Sequence, residues 1–112
     1  MYKVEQIYVK FEESDSIEHQ GNKRSIERFR EKGYNIVSEK NGFYVLNKPA
    51  KVILVGGCGE NGTYIHDAKD EILQYYGRRR ISEKLAKEFK KDFDNGVISI
   101  EMDQDSYKII KT

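Results

Sequence analysis

Cysteine is nearly absent from this chain of 112 residues, since Cys58 is the only thiol. A single cysteine cannot form an intramolecular disulfide or a zinc site built from several thiolates, and such usage is typical of a reducing compartment. The longest apolar run, Val52 to Val55, is far below membrane-spanning length, and charges occur within the first ten residues. The sequence therefore predicts a cytoplasmic protein that is neither exported nor inserted into a membrane.

An excess of charge of one sign is also missing. Twenty basic and nineteen acidic side chains leave a net charge of +1, so no global field attracts nucleic acid or an anionic membrane. Hydrophobic residues make up 38% of the chain and aromatic residues 12%, which is enough for a packed core. Length and composition predict one domain spanning residues 1–112, and the order of its predicted elements makes it an α+β domain.

Hydrophobic periodicity and turn residues predict the element order β-α-β-β-β-α-α-β-β, a mainly antiparallel sheet with about three helices packed on it. The predicted strands are Tyr2–Phe11, Tyr34–Lys40, Phe43–Lys48, Lys51–Val55, Val97–Met102 and Tyr107–Ile110, and the predicted helices are Lys23–Lys32, Thr63–Tyr76 and Ser82–Phe93. The acidic stretch from Glu12 to Gly21 has no periodicity and is predicted to be a loop. The continuously apolar strand Lys51–Val55 is expected to be covered on both faces.

Asn41-Gly42 is the best local signal in the chain. It predicts a two-residue type I′ hairpin, because both turn positions need a positive φ. The register imposed by that turn places Val37 opposite Leu46 and Glu39 opposite Tyr44.

The strongest candidate for chemistry is a glycine-rich loop after the apolar strand. Gly57-x-Gly59-x-x-Gly62 has the spacing of a dinucleotide-binding fingerprint, and Thr63 is predicted to begin the next helix. The loop resembles a Rossmann phosphate-binding turn over about fifteen residues. That resemblance implies that amides at the helix start hold a phosphate or carboxylate. The remainder of the chain departs from the family, since Arg78-Arg79-Arg80 stands where an acidic ribose ligand is expected. A plain glycine turn and a partner-recognition loop remain alternatives.

Arg78, Arg79 and Arg80 are the second candidate site. They follow the end of a predicted helix, where the helix dipole favours cations, so solvated structural charge explains them equally well. Functional alternatives are an acidic protein surface or a phosphate backbone, with Lys84 and Lys87 as additional cations. Nucleic acid is the less favoured partner, because the following helix also carries three acidic residues, Glu83, Glu88 and Asp92.

No catalytic set assembles from the sequence. Cys58 with His66 is a conceivable nucleophile and base, because a helix start lowers a thiol pKa. His66 with Asp67 or Asp70 is a conceivable metal site on one helical face, and exposed polar surface is the ordinary explanation. We expect no cofactor and no metal.

These observations favour a non-enzymatic binding protein that docks to another protein. The lysine-rich usage, 14 lysines against 6 arginines, and the small size are typical of a bacterial mobile-element or phage accessory or inhibitory protein. The alternative is a nucleotide- or phosphate-binding module that uses the glycine loop. The protein is expected to be a monomer, or a homodimer formed through an exposed first or last strand.

Overall fold

Antiparallel three-stranded sheets dominate the architecture. The computed structural model describes residues 1–57, 59 and 62–112. Within that part of the chain, nine strands form three such sheets, and three helices accompany them. In chain order the elements are β1 (Tyr2–Lys3), β2 (Gln6–Glu12), β3 (Asp15–Gln20), α1 (Lys23–Glu31), β4 (Asn35–Lys40), β5 (Phe43–Lys48), β6 (Lys51–Gly57), β7 (Thr63–Asp67), α2 (Lys69–Tyr76), α3 (Glu83–Asp94), β8 (Ile98–Met102) and β9 (Tyr107–Lys111). The predicted α+β class is confirmed. The predicted order lacked β3 and β7 and joined β1 to β2.

The chain divides into two compact units. Unit 1 comprises Met1–Glu12 and Lys51–Thr112, and unit 2 comprises Glu13–Ala50. Unit 2 is therefore inserted into unit 1 between β2 and β6. That the chain behaves as one domain stays a prediction.

Unit 1 contains two sheets, with strand orders β2-β6-β7 and β1-β8-β9. The chain passes from one sheet to the other at Val4, whose amide donates to the carbonyl of Ile100, and Glu5, whose amide donates to the carbonyl of Gly57, each at 2.9 Å. This change of sheet is why one predicted strand became two. The core of unit 1 is a single apolar cluster: Val4, Ile7, Val52, Leu54, Ala68, Ile72, Leu85, Ala86, Phe89, Ile98, Ile100 and Met102.

Burial along β6 alternates between its two faces. Val52, Leu54 and Gly56 are buried, whereas Ile53 and Val55 are only partly buried. The expectation that this strand is covered on both faces was wrong. An antiparallel sheet can leave one face to solvent. A strand in which consecutive residues are all apolar does not by itself show which face the core covers.

Unit 2 combines α1 with the sheet of order β3-β5-β4. The predicted hairpin between β4 and β5 is confirmed, since Asn41 has a φ of 53° and Gly42 a φ of 81°. Glu39 lies opposite Tyr44 as predicted. Leu46, however, lies opposite Ile36 rather than Val37, because an irregularity in β4 between Ile36 and Ser38 shifts the register by one residue.

The acidic segment that was predicted to be a loop is strand β3. Ile17 lies opposite Leu46 and His19 opposite Tyr44, while the other residues of β3 are exposed. An edge strand that buries so little of one face has almost no hydrophobic alternation, so its pairing with β5 determines its conformation.

The helix boundaries follow their capping residues where such residues exist. The side chain of Asn22 accepts from the amide of Ser25 at 3.1 Å at the start of α1, and Ser82 caps α3 in the same way. α2 begins after Ala68, which provides no side-chain cap. The predicted start at Thr63 was therefore wrong. Of the helices described, none combines the length and hydrophobicity that a bilayer crossing requires.

Candidate functional site

Arg78, Arg79 and Arg80 lie in the turn between α2 and α3, as predicted. α2 ends at Gly77, which has a left-handed φ of 64°, and the amide of Arg78 donates to the carbonyl of Leu73 at 2.9 Å. All three arginine residues are exposed. The turn thus presents three guanidinium groups to solvent directly after a helix end, where the dipole favours positive charge.

A small depression lies between this turn and the first turns of α3. Its volume is about 110 Å³, and it is lined by Arg78, Arg80, Ser82, Lys84, Leu85 and Glu88. The Ser82 hydroxyl is engaged as the helix cap, because it accepts from the amide of Leu85 at 3.1 Å. Three cations against one carboxylate leave the depression net positive. Its volume accommodates a carboxylate or phosphate group and is well below the roughly 300 Å³ of a typical small-molecule pocket.

The cations of the depression form no salt bridge within the described part of the chain, although the Glu88 carboxylate also lines the depression. No salt bridge there involves Arg78, Arg80 or Lys84, whereas the neighbouring Lys87 pairs with Glu83 at 3.4 Å. The sequence had named Lys84 and Lys87 as additional cations. The structure brings only Lys84 together with the arginines. We call Arg78, Arg79, Arg80 and Lys84 the basic turn.

The glycine loop connects two strands rather than a strand and a helix. Gly57 lies opposite Thr63 in the pairing of β6 with β7, and the following helix begins only at Lys69. Gly59 and Gly62 have positive φ values of 56° and 98°. The predicted helix start at Thr63 is corrected, and with it the Rossmann-like setting in which a helix dipole faces the loop. Residues 58, 60 and 61 lie outside the described part of the chain.

His66 lies in β7 and not in a helix. Its Nε2 lies 2.8 Å from the carbonyl oxygen of Asp103, and its ring packs on Tyr107 with 4.9 Å between centroids. The hydroxyl of Tyr107 donates to the carbonyl of Asp67 at 3.0 Å, and burial together with nearby carboxylates raises the pKa of this phenol. These contacts join β7 to the β8–β9 hairpin, so they provide a structural role for His66. Its proposed partner Cys58 lies outside the described residues.

Metal binding by His66 and Asp67 lacks the geometry that the sequence suggested. Successive residues of β7 project to opposite faces of the sheet, and Asp70 lies in α2, so neither carboxylate shares a helical face with His66. Within the described ranges, no group of three or more potential ligands surrounds a point where a metal ion would fit.

The β8–β9 turn is organised by Asp103. Its Oδ1 accepts from the amides of Asp105 and Ser106, at 3.0 and 2.8 Å, and from the Ser106 hydroxyl at 3.1 Å. These hydrogen bonds, first that from the Ser106 amide, lower the pKa of the Asp103 carboxyl below its ordinary value. The turn is thus an internally bonded structure that holds the carbonyl beside His66.

The sequence did not predict an exposed apolar row on the sheet β2-β6-β7. Tyr8 lies opposite Val55, and Val55 lies opposite Ile65. Tyr8 is 62% exposed and Ile65 is 66% exposed. The available signal was the alternation of Tyr8 with the inward residues Ile7 and Val9, but the assignment of residue 65 to a helix concealed the row.

Comparison of the chain with protein-family models, with curated proteins and with solved structures found no match.

Proposed function

We propose that this protein is a non-enzymatic binding protein that docks to an acidic surface of another protein through the basic turn. The observation that carries the proposal is the set of exposed cations around the depression, which lack salt-bridge partners among the described residues. The chain as a whole is nearly neutral, with a net charge of +1, so this concentration of positive charge is local. A local patch selects a partner whose opposite charges match its own in position, whereas a uniformly basic protein binds any polyanion.

Arginine chemistry favours carboxylates as the bound groups. A guanidinium offers parallel N–H donors that match a carboxylate in a bidentate pair, and such charge-assisted bonds are stronger than neutral ones. Glu88 at the edge of the depression and Glu83 on the same helix repel the continuous phosphate charge of a nucleic acid. A protein surface can instead place single carboxylates beside the arginines and away from Glu83 and Glu88. Nucleic acid is accordingly the less favoured partner.

An accessory or inhibitory role follows from this mode of action. A small protein that only occupies a surface needs no catalytic group, and the proposal includes a bacterial mobile-element or phage origin. In this proposal the glycine loop, with Gly57, Gly59, Gly62 and Thr63, supplies a second contact. The alternative is that the loop amides bind a phosphate, with Arg78 or Arg79 neutralising its charge.

The test is affinity capture with a charge-reversed variant. The triple variant Arg78→Glu, Arg79→Glu, Arg80→Glu is compared with wild type in quantitative capture from a bacterial lysate. The matched control reverses three exposed cations of α1, Lys23→Glu, Arg24→Glu and Arg28→Glu, which changes the net charge equally. We expect the partner to be retained by wild type and control, and its recovery by the triple variant to fall by about tenfold or more, as for loss of several charge contacts.

Equal capture by wild type and the arginine variant would contradict the proposal, and equal loss in both variants would show that only net charge matters. A thermal unfolding series with ATP, inorganic phosphate and a ten-nucleotide single strand addresses the other partners. A ligand of the native state raises the unfolding midpoint. A rise with ATP that disappears in the variant Gly59→Ala, Gly62→Ala would favour the phosphate-binding alternative, and a rise with the oligonucleotide would favour nucleic acid.

A further inference from the structure

The sheet β2-β6-β7 has one face toward the core of unit 1 and one face toward solvent, which we call the open face. Ile7 and Leu54 of the opposite face belong to the core cluster. The open face carries Tyr8, Val55 and Ile65 as one row across the three strands. Both outer members of the row are more than 60% exposed. Tyr8 and Ile65, with the partly buried Val55 between them, form one apolar patch rather than scattered surface residues.

The rows on either side complete the pattern of the open face. On one side, Lys10 lies opposite Ile53, and Ile53 lies opposite Asp67, so this row has a cation at one edge and a carboxylate at the other. The Lys10 ammonium also lies 3.8 Å from the carboxylate of Glu12, the next residue of β2 on the same face. On the other side, Gly57 lies between Gln6 and Thr63. A shallow depression of about 220 Å³ occurs there, beside Tyr8 and Val55. The open face is therefore apolar in the middle, charged at the row of Lys10 and Asp67, and recessed at the row of Gly57.

We propose that the open face packs against the open face of a second copy of this chain, with a two-fold axis parallel to β6. Such an axis exchanges β2 with β7. It therefore places Lys10 of each copy over Asp67 of the other and Tyr8 of each copy over Ile65 of the other. Two sheets stack face to face about 10 Å apart with their strands within roughly 30°, an arrangement compatible with this overlap.

The pattern identifies the occupant as a second copy because it is self-complementary. An isologous interface uses the same patch twice, so a charge beside the apolar row is matched only if it meets its opposite when the patch is turned over. The axis along β6 satisfies this condition for Lys10 and Asp67, whereas Lys51, one row farther out on β6, would lie over Lys51 of the other copy at the end of the contact. An axis across the strands, through the apolar row, would instead place Lys10 over Gln6 and Asp67 over Thr63, so that neither charge would meet an opposite charge of the other copy. The depression at Gly57 then lies at the polar rim, where interfacial water is common.

Sedimentation velocity over a concentration series tests the proposal. We expect wild type to shift from monomer to dimer as concentration rises. Tyr8→Glu and Ile65→Lys each bury a charge against an apolar side chain twice in every dimer, so each should weaken association by about tenfold or more. The matched control is Val37→Lys in unit 2, where the side chain is 62% exposed, and its association should equal that of wild type.

Mixing the two variants tests the direction of the axis. In the mixed dimer, Glu at position 8 of one copy faces Lys at position 65 of the other, and the native contact of Tyr8 with Ile65 remains on the opposite side. We expect the mixture to dimerise at least about tenfold more tightly than either variant alone.

Three results would overturn the inference: wild type that stays monomeric at all concentrations, dimers that neither substitution weakens, or weakened dimers that mixing fails to restore. Thermal unfolding of each variant confirms that the exposed substitutions leave the fold intact. None of these variants alters the basic turn, so dimerisation and partner capture can be lost independently of each other.

Discussion

Two neighbouring glycines at the end of β6 meet different surroundings on the two faces of their sheet. A Cβ atom at Gly56 would lie 2.5 Å from the sulfur of Met102 and 3.0 Å from a methyl carbon of Val4, both in the core. A Cβ atom at Gly57 would meet only the carbonyl oxygen of Gly62, at 3.6 Å, which is ordinary contact. Position 56 therefore has no room for a methyl group unless Met102 and Val4 move, whereas position 57 does.

We expect Gly56→Ala to lower the free energy of unfolding by about 1–3 kcal/mol, because an added methyl overpacks the core between Val4 and Met102. Gly57→Ala, its matched control, should change it by no more than about 0.5 kcal/mol. Urea unfolding followed by circular dichroism measures both. Equal costs at the two positions would mean that the core adjusts around the methyl group or that the outer face is as tightly packed.

The candidate site was predictable where it depends on chain neighbours. Arg78–Arg80 follow a helix end marked by Gly77, and Lys84 lies within the first turn after the cap Ser82, so sequence spacing alone brings these cations near one another. The pairing of Lys87 with Glu83 is a helical i,i+4 contact that local reasoning can also anticipate. The setting of His66 was not predictable, because its contacts with Asp103 and Tyr107 join segments about forty residues apart.

Helices α2 and α3 are tied together by a side-chain hydrogen bond. The hydroxyl of Tyr76, the last residue of α2, donates to the Asp92 carboxylate of α3 at 2.6 Å. Burial, followed by this bond and the adjacent negative charge, raises the pKa of Tyr76 above its ordinary value. The bond fixes the two helices on either side of the basic turn.

Tyr76→Phe removes that bond and keeps the aromatic ring. We expect the free energy of unfolding to fall by about 1 kcal/mol, because Asp92 is left without its donor. Tyr75→Phe is the matched control, since the Tyr75 ring packs edge to face against the Tyr76 ring but its hydroxyl makes no hydrogen bond within the described residues. Its cost should be close to zero by thermal unfolding, and a larger cost than that of Tyr76→Phe would contradict the role given to the bond.

Elements with local signals were predicted and those decided by distant pairing were not. The Asn41-Gly42 hairpin and the helices begun by Asn22 and Ser82 depend on residues within a few positions, and they occur as predicted. Strands β3 and β7 depend on pairing with β5 and β6. In β7, the spacing of Ile65 from the buried residues of α2 imitated a helical face, and strand pairing overrode that pattern.

At the level of the whole molecule, unit 1 has a core of its own. Every buried member of its apolar cluster lies within residues 1–12 or 51–112. The two residues of unit 1 that flank the insertion, Glu12 and Lys51, lie directly opposite each other in the β2–β6 pair. Two residues suffice to connect such a pair as a hairpin.

We therefore expect unit 1 to fold when residues 13–50 are replaced by Asn-Gly. The shortened chain should unfold cooperatively on heating and give dispersed amide signals in nuclear magnetic resonance, since its core is unchanged. The same chain carrying Phe89→Ala supplies the reference for a damaged core, because Phe89 is fully buried. A shortened chain as poorly dispersed as that reference would show that unit 1 requires unit 2.

The insertion of unit 2 between the two chain segments of unit 1 also sets an order of events on the ribosome. All three strands of the unit 2 sheet emerge within one stretch of 38 residues, Glu13–Ala50, and can pair as soon as β5 leaves the exit tunnel. β1 must wait for β8, which follows it in the chain after unit 2 and after every helix of unit 1. Strand β1 consequently stays unpaired until β8 has been synthesised, and during that interval its free edge can associate with the wrong strand.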